Sequence, residues 1–223
     1  MACGCDLPWN REAYLCESCA VAQVRPGPLF CQRCGVNLPS GGAYCHACRG
    51  SKAKKYKCRI IRSAWIFNTS SRALVHGLKY AYCDYLAPGM GLEMAQHFKQ
   101  YPEMSSAEVV VPVPLFVAKE RQRGYNQSAL LAHWFSHYTG FPLALSALKR
   151  VRNTVSQTQL GRQARLENMT GAFACVCPDV IKGKVVLLID DVATTGATLE
   201  GCAVALKAAG AKQVMAYTYA REN

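Results

Sequence analysis

From residue 63 onward, apolar and polar positions fall into short runs and helical periods that alternate along the chain. Ala64–Asn68 predicts a strand, and Ser71–Tyr80 predicts a helix that Ser70 or Ser71 would cap. Leu86–Phe98 has a helical pattern, and Glu108–Val113 (EVVVPV) is a short apolar strand that ends at prolines. Gln127–Tyr138 places Leu130, Leu131, Trp134 and Phe135 along one side of a helix. Val185–Ile189 is apolar at every position, the pattern of a strand covered on both faces in a parallel sheet. Leu199–Ala209 predicts a helix stopped by Gly210, and Val214–Tyr219 a last strand. Strands separated by helices predict a parallel α/β sheet.

Residues 1–48 lack this periodicity. They hold eight of the thirteen cysteines, with Pro and Gly between them, and are too short and polar for an ordinary core. Residues 49–62 (RGSKAKKYKCRIIR) read as a basic connector. The expected organisation is therefore 1–48, 49–62 and 63–223, a small accessory domain joined to a medium one. The N-terminus shows no basic region followed by an apolar run, and no stretch approaches a membrane span. The expectation is a cytoplasmic protein without membrane insertion. In such a protein, C-x-x-C pairs are metal knuckles rather than disulfides.

Cys31-x-x-Cys34 and Cys45-x-x-Cys48 would supply four thiolates to one tetrahedral zinc ion, as in a zinc ribbon; a set of four cysteines can also hold an iron–sulfur cluster. Cys16-x-x-Cys19 with Cys3 and Cys5 forms a second candidate set, although C-x-C is one residue short of a knuckle. Spacing equally permits Cys16 and Cys19 to group with Cys31 and Cys34, so the pairing is open. His46 lies inside the last knuckle and reads as a solvent-facing loop histidine. Cys58, Cys83, Cys175, Cys177 and Cys202 are scattered and read as small buried hydrophobes.

Charge sharpens the picture. The net charge is +12, and residues 49–62 carry seven Lys/Arg and no acid. A second excess lies in residues 115–170, with eight Lys/Arg against two acids. Positive charge gathered in this way points to a phosphate-rich partner. In the connector, Lys52, Lys54, Lys55 and Lys57 surround Tyr56, and Trp65 follows. Cations with interleaved aromatics suit the phosphates and bases of single-stranded DNA. Trp65, within an apolar strand, reads as core.

The clearest chemistry is VVLLIDDVATTGATL, Val185–Leu199. A buried strand ends in two acids, and a loop of Thr, Gly and Ala opens a helix. Ligands of open α/β sheets sit at the carboxyl ends of strands. Hydroxyls and backbone N–H groups at a helix N-terminus make an anion site, which Gly196 lets the backbone approach closely. Asp190 and Asp191 would repel a phosphate. They suit ribose hydroxyls, or a magnesium ion bound through water.

This arrangement resembles the phosphoribosyl pyrophosphate (PRPP) motif of type I phosphoribosyltransferases. The resemblance implies that Asp190 and Asp191 hold the ribose diol, while Thr194, Thr195, Gly196, Ala197 and Thr198 cradle the 5-phosphate. Three further segments, His76–Ala87, Val111–Ala132 (with R-x-R-G-Y-N-Q at Arg121–Gln127) and Arg152–Phe173, extend the match. With the paired cysteines they resemble the ComF family of competence-associated phosphoribosyltransferase-like proteins, over nearly the whole chain. That resemblance implies a type I phosphoribosyltransferase fold with an N-terminal double zinc ribbon. It implies Zn2+, Mg2+ with PRPP, and a role in uptake or processing of transforming DNA beside other competence proteins such as a helicase. It makes Arg152–Arg165 a mobile loop that closes over pyrophosphate, which Arg165 and Lys79, in the L-K-Y motif, would contact. Base transfer by this fold needs positioning and electrostatics rather than a visible nucleophile. Sequence therefore leaves transferase, binding protein and PRPP sensor open.

Overall fold

The computed structural model describes residues 15–50, 56–153 and 169–222. Its centre is a four-stranded parallel sheet of β1 (Cys58–Ile66), β2 (Val109–Pro112), β5 (Val185–Ala193) and β6 (Gln213–Arg221), in the order β1-β6-β5-β2. Helices α2 (Thr69–Tyr80), α3 (Ala87–Phe98), α4 (Val117–Arg123), α5 (Gln127–Thr139) and α6 (Ala197–Ala208) connect or flank these strands. A one-turn α1 (Glu17–Val21) lies in the cysteine-rich region. β3 (Leu148–Arg150) and β4 (Phe173–Cys175) form a separate antiparallel pair.

The two-residue period of β5 builds a core on each face. Leu187 and Ile189 pack with Met215, Tyr217 and Tyr219 of β6, beneath Leu78, Met90, Met94 and Phe135. Val186 and Leu188 point the other way, toward Leu199, Cys202 and Leu206 of α6. This second face also receives Cys31, Cys34 and Cys48, so the metal knuckles pack on the sheet rather than apart from it. Ile61 N–H donates to Arg33 O (2.7 Å) and Ile66 N–H to Val24 O (2.7 Å), which lays the N-terminal region along the outer edge of β1.

Several element boundaries differ from the sequence reading. The first strand runs over residues 58–66 instead of 64–68, so the sheet begins inside the stretch read as connector. Its charged residues hide it. Arg62 is buried, yet it is held by Glu103 at 2.8 Å and by the carbonyls of Ile61 and Gln32. The cap of α2 is Asn68, whose Oδ1 accepts from Ser71 N–H while Ser71 Oγ accepts from Asn68 N–H. β5 does not stop before the acids but carries them in its ladder, with Asp190 opposite Thr218. Trp65 is core, and its indole N–H donates to Glu93 at 2.8 Å. Among the scattered cysteines Cys58, Cys83 and Cys202 are buried. Cys175 and Cys177 are only half-buried, because the small β3–β4 pair has a surface face. Among the described residues no helix is long and apolar enough to cross a membrane.

Helices α3 and α5 approach through Gly91, where any Cβ would collide with the Cβ of Trp134. Gly91→Ala should force these helices apart and destabilise the fold by about 1–3 kcal/mol, the usual range for overpacking. Chemical denaturation checks it; an unchanged midpoint would show that the contact can relax.

Candidate phosphoribosyl site and metal centre

The carboxyl ends of all four parallel strands open into one cavity of about 580 Å³. Phe67 follows β1, Val113 follows β2, Asp190, Asp191 and Thr194 belong to β5 and its turn, and Glu222 follows β6. This is the crevice where open α/β sheets bind ligands. Lys79, His76 and Arg72 of α2, Lys119 and Arg123 of α4, Gln127 and Ser128 of α5 and Arg150 of β3 complete the wall.

Both acids are buried and held in place. Ser128 Oγ donates to Asp190 Oδ1 at 2.7 Å, and the Asp191 backbone N–H donates to the same oxygen at 2.9 Å. Lys79 Nζ meets Asp191 Oδ2 at 2.9 Å. Burial, with Asp191's charge beside it, pushes the Asp190 carboxyl up to about 7, against the opposing pull of Ser128 and Lys79. Burial by itself lowers the Lys79 ammonium, but Asp191 and Asp190 outweigh it, so the amine is raised and stays charged.

The turn below the acids has the form an anion site needs. Gly196 is the N-cap of α6 at φ +79°, and a Cβ there would lie 3.0 Å from Ile61 Cδ1. Thr194 and Thr198 face the cavity. Thr195 Oγ1 accepts from Ala197 N–H at 3.3 Å, and Gly196 and Ala197 are buried behind it. Arg165 and residues 154–165 of the predicted loop lie outside the described residues. The two ends of that segment meet where Val151 N–H donates to Ala172 O (2.9 Å), next to Arg150 of the cavity.

Sequence reasoning missed Ser128, His76, Arg72 and Arg150. Ser128 and Arg123 sit in or beside the R-x-R-G-Y-N-Q motif, and that motif was the available signal. Asn126 of the motif caps α5, accepting from Ser128 N–H and donating to Val113 O, and Arg123 reaches Gln127. The motif thus sets the rim of the cavity and aims Ser128 at Asp190.

On the other core face, the sulfurs of Cys31, Cys34, Cys45 and Cys48 lie within 4.8 Å of one another and could hold a metal ion. Without a cation the four thiols cannot share a charge state. Hydrogen bonds from Cys34 and Cys48 drive Cys31 down, and the bond to Cys31 drives Cys34 and Cys48 up. Four thiolates around one divalent ion relieve that conflict. Cys16 and Cys19 are not in this cluster, and the Cys31/Cys34 pair is used with Cys45/Cys48. Cys3 and Cys5 lie outside the described residues. His46 is exposed, as read.

Arg33, inside the first knuckle, ties this centre to the phosphate helix. It donates to Cys48 Sγ (3.4 Å) and Cys58 O (3.4 Å), meets Glu200 of α6 at 3.5 Å and lies over the Tyr56 ring at 3.3 Å. Glu200 also accepts from the N–H groups of Lys57 (2.6 Å) and Cys58 (3.1 Å). Tyr56 is therefore engaged by Arg33. Lys57 lines an open groove of about 690 Å³ with Tyr44, Arg59, Lys207 and Lys212. Lys52, Lys54 and Lys55 lie outside the described residues.

Residues 128–223 match the phosphoribosyl transferase domain family. The chain is 28% identical to Competence protein F of Haemophilus influenzae, over 93% of this chain and 90% of that protein. It is 28% identical to the DNA utilization protein YhgH of Salmonella typhimurium (97% and 95% covered) and 26% identical to Competence protein ComFC of Bacillus subtilis (97% and 90%). It is also similar to two solved structures. One is described as the allosteric regulatory enzyme of purine biosynthesis (22% identity, TM-score 0.43, 64% of this chain and 29% of that one). The other is the glutamine PRPP amidotransferase from B. subtilis complexed with ADP and GMP (24%, TM-score 0.39, 58% and 25%). The chain spans between a quarter and a third of those structures. By fold and domain match the protein is a phosphoribosyltransferase-type α/β protein with a cysteine cluster in its N-terminal region. Within that class the resemblance to the ComF family is borne out by relatives that run along nearly its whole length.

Two outcomes follow from this geometry. Because Asp190 is raised in the folded state, the folded protein binds more protons than the unfolded chain between about pH 4 and 7, and ligand-free stability falls as pH rises through that window. Asp190→Asn removes the penalty. It should raise the ligand-free melting temperature at pH 8 by about 4–8 °C, the equivalent of roughly 2 kcal/mol in a protein of this size, and flatten the pH profile. A variant that melts lower at pH 8 would contradict the assignment. At the cysteine centre, Cys34→Ser should lower the metal content found by elemental analysis and speed hydrogen exchange of the Ile61 amide; equal metal content in the two proteins would dismiss the centre.

Proposed function

We propose that this protein binds PRPP at the strand ends, holds zinc in its cysteine cluster and binds single-stranded DNA during uptake or processing of transforming DNA. The observation that carries the reading is one cavity joining a buried acid pair, a threonine-rich helix start and a rim of lysines and arginines. The ribose hydroxyls would donate to Asp190 and Asp191. The 5-phosphate would rest on Thr194–Thr198, and the pyrophosphate would face Lys79 and the loop that carries Arg165. The same two acids would hold Mg2+, which when bound neutralises pyrophosphate charge. Names such as competence protein and DNA utilization protein among the relatives support a role in handling DNA. Lys57, Arg59, Lys207 and Lys212 along one groove support a phosphate track continuing from Lys52, Lys54 and Lys55.

Calorimetry with PRPP and Mg2+ tests the first part. Asp191→Asn and Gly196→Val should each weaken binding at least tenfold, about 1.4 kcal/mol; equal affinity for wild type and both variants would refute it. Fluorescence anisotropy of a labelled oligonucleotide against salt tests the second. Changing Lys52, Lys54, Lys55 and Lys57 to Gln should flatten the salt slope by roughly 0.7 for each phosphate no longer neutralised.

A transferase reading is favoured by one observation: a carboxyl raised to about 7 is suited to take up and release a proton near neutral pH. Release of pyrophosphate from PRPP in the presence of a nitrogenous base would establish it.

A further inference from the structure

The mouth of the cavity carries aromatic surface that phosphoribosyl binding does not use. Tyr80, the last residue of α2, is 63% exposed although it lines the cavity rim. Its ring is tilted against His76, with centroids 4.6 Å apart, and Arg123 approaches it to 5.4 Å. Tyr82 is 69% exposed and sits at φ +54°, a left-handed conformation that non-glycine residues rarely adopt. Its hydroxyl reaches toward Gln122 O at 3.5 Å, which sets the ring beside α4. Tyr85, three residues on, is also exposed.

Helix α4 itself has no buried residue. It serves no core, yet it presents Lys119, Arg121 and Arg123, with Glu120 as its one acid, along the edge of this aromatic patch. Apolar rings held in solvent beside a row of cations match one kind of occupant. A single nucleic-acid strand offers π-faces every few ångströms and a phosphate beside each, whereas a duplex keeps its bases stacked inside. An acidic protein would meet the cations but would gain nothing specific from tilted, solvent-facing rings.

We propose that Tyr80 and Tyr82, backed by His76, form a stacking platform for bases of single-stranded DNA, whose phosphates run along Lys119, Arg121 and Arg123. This rests on the single-strand reading above but places a contact at the cavity mouth, away from the connector. A strand held there passes over the bound phosphoribosyl group, so strand and PRPP occupy neighbouring sites. Stacking on a tyrosine face is tolerant of base identity, so the platform grips sequence-independently.

The test compares the full-length protein with its variants on two fluorescein-labelled strands of equal length, oligothymidine and an abasic analogue with the same phosphates. Wild type should prefer the base-bearing strand by about fivefold to a hundredfold, the usual yield of stacking one base. Tyr80→Ala and Tyr82→Ala should lose most of that preference while keeping the salt slope, and Tyr80→Phe should retain it. Changing Lys119, Arg121 and Arg123 to Gln should flatten the slope for both strands, again by roughly 0.7 for each phosphate no longer neutralised. Tyr82 is not part of the cavity wall, so unchanged PRPP affinity in Tyr82→Ala verifies that the fold is intact. If the tyrosine variants keep the full preference while the four-lysine connector variant abolishes binding, the platform is wrong and the connector reading stands. If wild type binds neither strand at low salt, both readings fall.

Discussion

One carboxylate, that of Glu200, holds three parts of the chain in register. It stands in the first turn of α6, where an acid is favoured by the helix dipole. It accepts from the backbone at the start of β1 and pairs with Arg33 of the first metal knuckle. Arg33 in turn reaches a cysteine sulfur of the cluster. The metal centre, the edge strand and the helix that begins at the phosphate turn are thus joined through two buried charges. Removing one member of such a pair strands the other, a loss of about 3–5 kcal/mol. The phosphate turn then depends on the cysteine cluster without touching it.

The cavity is pre-built at some expense. Asp190 is buried against Asp191, with one serine, one backbone amide and Lys79 to hold the pair. Lys79 is bound to Asp191 before any ligand arrives, so an incoming anion competes with a carboxylate for it. Asp190 titrates near neutrality while Lys79 remains charged, so the polarity of the cavity floor follows pH and that of its rim does not.

What could be read in the sequence was what lies close together along it. The apolar run into Asp190 and Asp191 and the threonine turn fall within fifteen residues, and the knuckles Cys31/Cys34 and Cys45/Cys48 announce themselves by spacing. The parallel sheet followed from strands alternating with helices. The start of β1 stayed hidden because Arg59 and Arg62 mask its apolar pattern, and only Glu103, Gln32 and Phe30 make a buried Arg62 tolerable. Ser128 lies 62 residues from Asp190, and Glu200 lies 143 residues from Lys57, so no local pattern pairs them. Lys79 was legible through its motif, although its partner Asp191 was not.

Both outer edges of the sheet are covered by other segments. Carbonyls of Val24 and Arg33 occupy amides of β1, and the segment around Leu143 bridges to β2 at Val110. An open strand edge is a template for pairing with another molecule. The cysteine-rich region therefore shields the nine-residue β1 from its copies. Oxidation of the cluster's thiols would unmask that edge, and the damaged protein would associate with others of its kind through newly paired strands before its ligand cavity had changed shape.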